Sequence, residues 1–126
     1  MLVDTDVLIW AARGNEKAIQ RLNQKQEFQI SAVNYMEFCQ GVSSKKELQL
    51  FKKTLKLWEI KIIPICEAIS YQAIFWVERF SLSHSLCLAD ALIAATVLQE
   101  NLVLLTANDK HYSMLKEIKI ERFRPE

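Results

Sequence analysis

Glycine and proline are nearly absent, with two of each in 126 residues. That scarcity argues against disordered or repeat organisation, and there is no Gly-rich loop of the kind that cradles phosphates. The two histidines and three cysteines show no metal-ligand spacing, so no zinc site is expected. Cys39, Cys66 and Cys87 lie far apart in apolar surroundings and read as reduced packing thiols, not as a disulfide set. No Ser/His/Asp nucleophile motif is present. No apolar run is long enough to cross a membrane and no targeting segment precedes the first strand, so a cytoplasmic protein is expected. An excess of one charge is missing too. Sixteen Lys and Arg face fifteen Asp and Glu, a net charge of +1. Binding of nucleic acid would therefore rest on a local patch or a metal, not on whole-protein attraction.

What the chain does have is apolar residues in short, regular runs. Half of it is apolar and a quarter charged, ordinary for one globular domain spanning 1–126 with a sizeable core. Met1-Leu2-Val3 reads as a buried strand ending in Asp4-Thr5-Asp6, followed by a helix through Val7 to Ala12, capped by Asp6 or Thr5 and stopped at Gly14. Asp6 is favoured as a plain N-cap. Glu16 to Asn23 is a short amphipathic helix and Glu27 to Ile30 alternates as a strand does. Ser31 caps a helix through Val33 to Gln40, ending at Gly41. Ser44 to Glu59 carries Leu48, Phe51, Leu55 and Trp58 on one face and lysines on the other. Lys61 to Ile65 is a strand whose Pro64 argues for an edge or a strand end. A helix over Glu67 to Phe80 follows, then a loop over Ser81 to Ser85 containing a lone His84. Trp10, Trp58 and Trp76 read as packing residues. Leu102 to Leu105 is the clearest buried strand, and Ile118 to Phe123 a half-exposed last one. Strands alternating with helices predict an α/β fold, a three-layer α/β/α sandwich with a mainly parallel central sheet.

The run Leu86 to Leu98 is a helix former apolar nearly all round, with Asp90 in its middle and Ser83 or Ser85 as its cap. An unpaired carboxylate in such surroundings costs several kcal/mol, so it is protonated, paired or bound to metal. Its candidate companions are Asp4, at the carboxyl end of the first strand where open α/β sheets place ligands, and Glu37, on an apolar stretch of the Ser31 helix. Asp109 is a fourth acid, after the strongest strand. Grouped carboxylates raise each other's pKa unless a divalent cation neutralises them, and hard cations such as Mg²⁺ take oxygen ligands.

Leu2-Val3-Asp4-Thr5-Asp6-Val7-Leu8-Ile9, the Glu37 helix, Leu88-Ala89-Asp90-Ala91-Leu92-Ile93-Ala94-Ala95 and Leu104-Leu105-Thr106-Ala107-Asn108 resemble the motifs of PIN-domain nucleases, most of all the VapC toxins of type II (VapBC) toxin–antitoxin systems. The resemblance runs over essentially the whole chain. It implies a single PIN-like nuclease domain and Mg²⁺-dependent cleavage of RNA, with Mn²⁺ able to substitute. Attack by metal-activated water would leave a 5′-phosphate and a 3′-hydroxyl. The expected target is a tRNA or rRNA, and the expected result arrested translation. Asp4, Glu37 and Asp90 fall on the family's principal acidic positions as catalytic and metal-holding residues, and Thr106 on the supporting hydroxyl. The chain departs at the fourth acid: Asn108 stands where many members carry a carboxylate, and Asp109 follows one residue later. Asn108 and Asp6 are supporting residues beside the metal site in this reading. Lys110 and His111 could touch the RNA backbone. The likeness further implies a homodimer, and a VapB-like antitoxin that joins it in a heterotetramer or octamer and docks on the surface from Val33 to Trp58. Two rivals remain open on sequence. One is a haloacid-dehalogenase-like aspartyl phosphatase with Asp4 as nucleophile. The other is a non-catalytic RNA- or protein-binding PIN module.

Overall fold

The computed structural model describes residues 1–24 and 26–126. In chain order its elements are β1 (Leu2–Val3), α1 (Thr5–Ala12), α2 (Glu16–Leu22), β2 (Gln29–Ser31), α3 (Ala32–Gly41), α4 (Lys45–Leu57), β3 (Lys61–Ile63), α5 (Glu67–His84), α6 (Leu88–Gln99), β4 (Val103–Thr106), a 3-10 turn over Asp109–Tyr112, and β5 (Lys119–Arg122).

Successive residues of a strand point to opposite faces, and here both faces are apolar. Leu2 of β1 and Leu104 of β4 enter one hydrophobic cluster, while their neighbours Val3 and Leu105 enter another. A sheet greasy on both sides must be covered twice. Ile69, Trp76, Ile93 and Val97 bring α5 and α6 against the first face. Val7, Leu22, Phe51 and Leu55 bring α1, α2 and α4 against the second. α3 serves both, Val33 facing one cluster and Phe38 the other. The three-layer expectation holds, and the sheet is parallel throughout, in the order β3-β2-β1-β4-β5. From β1 the chain steps outward through β2 to β3, then returns to lay β4 on the other side of β1. The order therefore reverses between β1 and β4, the switch point at which open α/β sheets hold ligands. β3 is an edge strand with Pro64 just beyond its end, as the missing proline N–H requires.

Several local expectations are corrected. The cap of α1 is Asp4, not Asp6 or Thr5: the Thr5 N–H donates to Asp4 Oδ1 at 2.8 Å. Ser81 to His84 are not a loop but the last turn of α5, which closes on Ser85 in the left-handed region at φ 55°. α6 consequently starts at Leu88 behind Cys87, with no side-chain cap from Ser83 or Ser85. Asp90 thus lies in the first turn of that helix rather than in its middle, where the positive end of the helix dipole favours a carboxylate. Leu88, two residues before it, is exposed, and six of the seven residues from Ala91 to Val97 are buried. Cys66 and Cys87 are exposed, so only Cys39, half-buried, fits the packing-thiol description. Of the tryptophans Trp76 is core, Trp58 half-buried and Trp10 37% exposed. Among the described residues no helix is long and apolar enough to cross a membrane.

Candidate functional site

The centre of the switch point is Asp4. It follows β1 directly, its N–H continuing the sheet with a 2.9 Å bond to the Leu105 carbonyl, and it is 6% exposed. Both carboxylate oxygens are full. Oδ1 accepts from Thr5 N–H at 2.8 Å and from Asn34 Nδ2 at 3.4 Å. Oδ2 accepts from the Thr106 hydroxyl at 2.8 Å and the Tyr112 hydroxyl at 2.9 Å. Burial pushes the Asp4 pKa up; the donated bonds from Thr106, Tyr112 and Thr5 pull against that, and the charge of Asp90 adds to the rise. Burial has the upper hand because every one of those donors is neutral.

The other acids connect to Asp4 through these donors. Glu37, one helical turn beyond Asn34 on α3, accepts from the Thr5 hydroxyl at 2.8 Å. Asn34 in turn donates to Thr5 Oγ1 at 2.9 Å, and its own carbonyl accepts from the Ser31 N–H in a capping box. Partial burial raises the Glu37 pKa, with Asp4 and Asp90 adding to it against the Thr5 bond. Asp90 is reached from the other side: the Tyr112 hydroxyl that donates to Asp4 lies 3.4 Å from Asp90 Oδ1. Asp90 Oδ2 accepts from Cys87 Sγ at 3.0 Å and has His111 Nδ1 3.6 Å away. Asp6 accepts from the Val7 N–H at 2.7 Å and from the Ala107 N–H at 3.0 Å, which joins the start of α1 to the end of β4. Burial, then the nearby Asp4 charge, push Asp6 up to about 6. Thr106 is held in turn by the Asn108 N–H at 3.0 Å.

Asp109 behaves otherwise. It pairs with Arg124 at 3.0 Å and Arg122 at 3.3 Å, and the Arg124 bond above all holds its carboxyl below the usual range. Among the described residues no hydrogen bond or ion pair links it to Asp4, Glu37 or Asp90. The Asn108 backbone, not its side chain, touches the cluster. Sequence reasoning passed over Tyr112, Thr5, Asn34 and Cys87. Asn34 had a readable signal, since Ser31-x-x-Asn34 has the spacing of a capping box. The hydroxyl of Tyr112 had none, because an aromatic after a loop reads as packing.

The donor set suits a hard divalent cation: carboxylate oxygens, with hydroxyls and an amide around them. Among the described residues no Lys or Arg forms an ion pair with Asp4, Asp6, Glu37 or Asp90. As the side chains stand, no three of the described His, Cys, Asp and Glu groups are close enough to hold an ion. Chemistry therefore fits, and closing the site takes side-chain movement. A nucleophilic role for Asp4 fits poorly, because four donated bonds blunt a carboxylate's reactivity instead of raising it.

Residues 1–118 match the family of PIN domains, and the chain belongs to that family. Within it the chain is 31% identical over 123 residues to ribonuclease VapC10 of Mycobacterium tuberculosis, covering 94% of this chain and 90% of that protein. Among solved structures, a toxin–antitoxin complex from Klebsiella pneumoniae is 26% identical with a TM-score of 0.74, across 99% of this chain and 97% of the other. DNA-bound VapBC from Salmonella typhimurium superposes with a TM-score of 0.83 at 17% identity and 96% of each chain, a likeness of fold.

Proposed function

We propose that this chain is the ribonuclease toxin of a VapBC-type toxin–antitoxin pair, an Mg²⁺-dependent endoribonuclease that also accepts Mn²⁺. Its substrate is a tRNA or rRNA, and its cut arrests translation in the cytoplasm. The observation that carries the reading is the group of Asp4, Glu37 and Asp90 around the β1/β4 switch point, joined by neutral donors and unpaired with any described Lys or Arg. Residues kept so against their mutual repulsion are suited to a cation. The 31% identity to a ribonuclease over nearly the whole chain supports the choice of RNA phosphodiester as substrate.

In this reading Asp4, Glu37 and Asp90 hold the cation. When bound, it supplies polarisation of the scissile phosphate and a more acidic water for in-line attack. The chain does the positioning. Thr106 and the Thr5 N–H fix the rotamer of Asp4, Thr5 and Asn34 set Glu37 beside it, and the α6 N-terminus holds Asp90 toward solvent, 20% exposed. Asp6 bonds the end of β4 to the start of α1 and so keeps Thr106 in place. His111, exposed next to Asp90, and Lys110 meet the RNA backbone. The chain forms a homodimer, and a VapB-like antitoxin covers the groove by docking on α3 and α4.

The test is expression in a bacterium of the parent, Asp4→Ala and Asp90→Asn, with mapping of RNA ends. The parent is expected to stop growth and leave 5′-phosphate ends. Both variants are expected to cut about 10³-fold more slowly, the several kcal/mol that a metal contributes to phosphoryl chemistry. Variants that cut RNA as fast as the parent would exclude this site.

A further inference from the structure

Asp4 has four lone-pair positions facing its surroundings, and four donors fill them. Three are tied elsewhere. The Thr5 donor is backbone, Asn34 is locked by its capping box and by its bond to Thr5 Oγ1, and the Thr106 hydroxyl is fixed by the Asn108 N–H. The fourth, the Tyr112 hydroxyl, makes hydrogen bonds among the described residues only to the two carboxylates, Asp4 at 2.9 Å and Asp90 at 3.4 Å. It carries one proton, so it can donate fully to only one of them. Its ring is 1% exposed at the end of the 3-10 turn that follows β4, so the oxygen is held between the acids by packing. A cation held by both Asp4 and Asp90 would compete with this hydroxyl for Asp4 Oδ2.

We infer that Tyr112 is a positioning residue that acts as a placeholder: its hydroxyl bridges Asp4 and Asp90 while the site is empty of cation, and must release Asp4 Oδ2 before a divalent cation can bind there. The inference rests on the reading that Asp4 and Asp90 hold a cation. It makes Tyr112 a competitor of the cation and a stabiliser of the cation-free chain. A residue with only a packing role would affect loaded and unloaded chain alike.

The experiment is Tyr112→Phe, which keeps the ring and removes the oxygen, alongside the parent and Asp90→Asn. Each metal-stripped chain is titrated with Mn²⁺ by calorimetry, and its Tm is read with and without Mn²⁺. Loss of a hydrogen bond to a charged group is expected to tighten Mn²⁺ binding in Tyr112→Phe about tenfold. Its cation-free Tm is expected to fall, so that Mn²⁺ raises it further than in the parent. Equal or weaker Mn²⁺ binding in Tyr112→Phe, or an equal loss of Tm in both conditions, overturns the placeholder. If Asp90→Asn binds Mn²⁺ as the parent does, the cation reading itself fails. If neither parent nor Tyr112→Phe binds Mn²⁺, both ideas fail.

Discussion

Two acidic neighbourhoods flank the carboxyl end of β4, and the protein treats them in opposite ways. Asp109 has two arginines against it and a lowered pKa. Asp4, Asp6 and Glu37 have hydroxyls, amides and backbone N–H groups, and all three pKa values are raised. In neither does a buried side-chain polar atom lack a partner among the described residues. Only the first neutralises the charge. The difference separates a carboxylate that helps to close the structure from carboxylates left in electrostatic debt to each other. Such a debt is tolerable where function needs it.

The largest effect that would sharpen the contrast comes from Glu37, the acid farthest along the relay. Glu37→Gln keeps shape and the bond from Thr5 but removes the charge. Cleavage of RNA in vitro is expected to fall roughly a hundredfold, in the range for loss of one preorganised electrostatic contact. An unchanged rate would detach Glu37 from the site and leave two acids.

Stability against pH should separate the two neighbourhoods next. A carboxyl whose folded pKa lies above its unfolded value favours the fold when protonated. Its contribution is full below about pH 4, the unfolded value, and is lost as pH rises through the folded one. For Asp6 that window runs up to about 6, and Asp4 and Glu37 act in the same sense. Asp109 has the opposite sign: its pairing contributes above its unfolded value and fades as pH falls through the lowered folded one. In chelator, the Tm of Asp6→Asn is therefore expected to vary less between pH 4 and 6.5 than that of the parent. A parent profile as flat as the variant's would show that burial does not penalise the Asp6 charge.

The smallest effect belongs to Asp109→Ala. Its partners Arg122 and Arg124 are 63% and 43% exposed, and ion pairs open to water contribute little. RNA cleavage is expected to change by no more than a few-fold. A loss comparable to that of Glu37→Gln would move Asp109 into the site and erase the distinction between the neighbourhoods.

The main features of the fold were legible because apolar periodicity reports burial directly. Leu2-Val3 and Leu102 to Leu105, apolar at every position, read as strands covered on both faces, and their alternation with helices implies a parallel sheet between helix layers. Asp4, Glu37 and Asp90 could be named as candidates because an acid among apolar residues violates that same pattern. What failed was local punctuation. Ser81 to Ser85 looked like a loop because serines favour caps and turns, yet α5 runs on through His84 to close on Ser85, and α6 begins only at Leu88. That shift moved Asp90 from mid-helix to a helix N-terminus.

By itself, then, the sequence determined the layers of this protein and the residues that break its apolar pattern, because burial and hydropathy are properties of single residues and their spacing. The tertiary structure alone decided the company those residues keep. Tyr112 lies 108 residues from Asp4 along the chain and Thr106 lies 102, yet both hydroxyls meet one carboxylate oxygen. Whether an acid is paired by arginine, as Asp109 is, or by neutral donors, as Asp4 is, depends on which strand ends the sheet topology sets side by side. Hydrogen-bond partners are chosen by distance in space, and no local pattern in the chain encodes that distance.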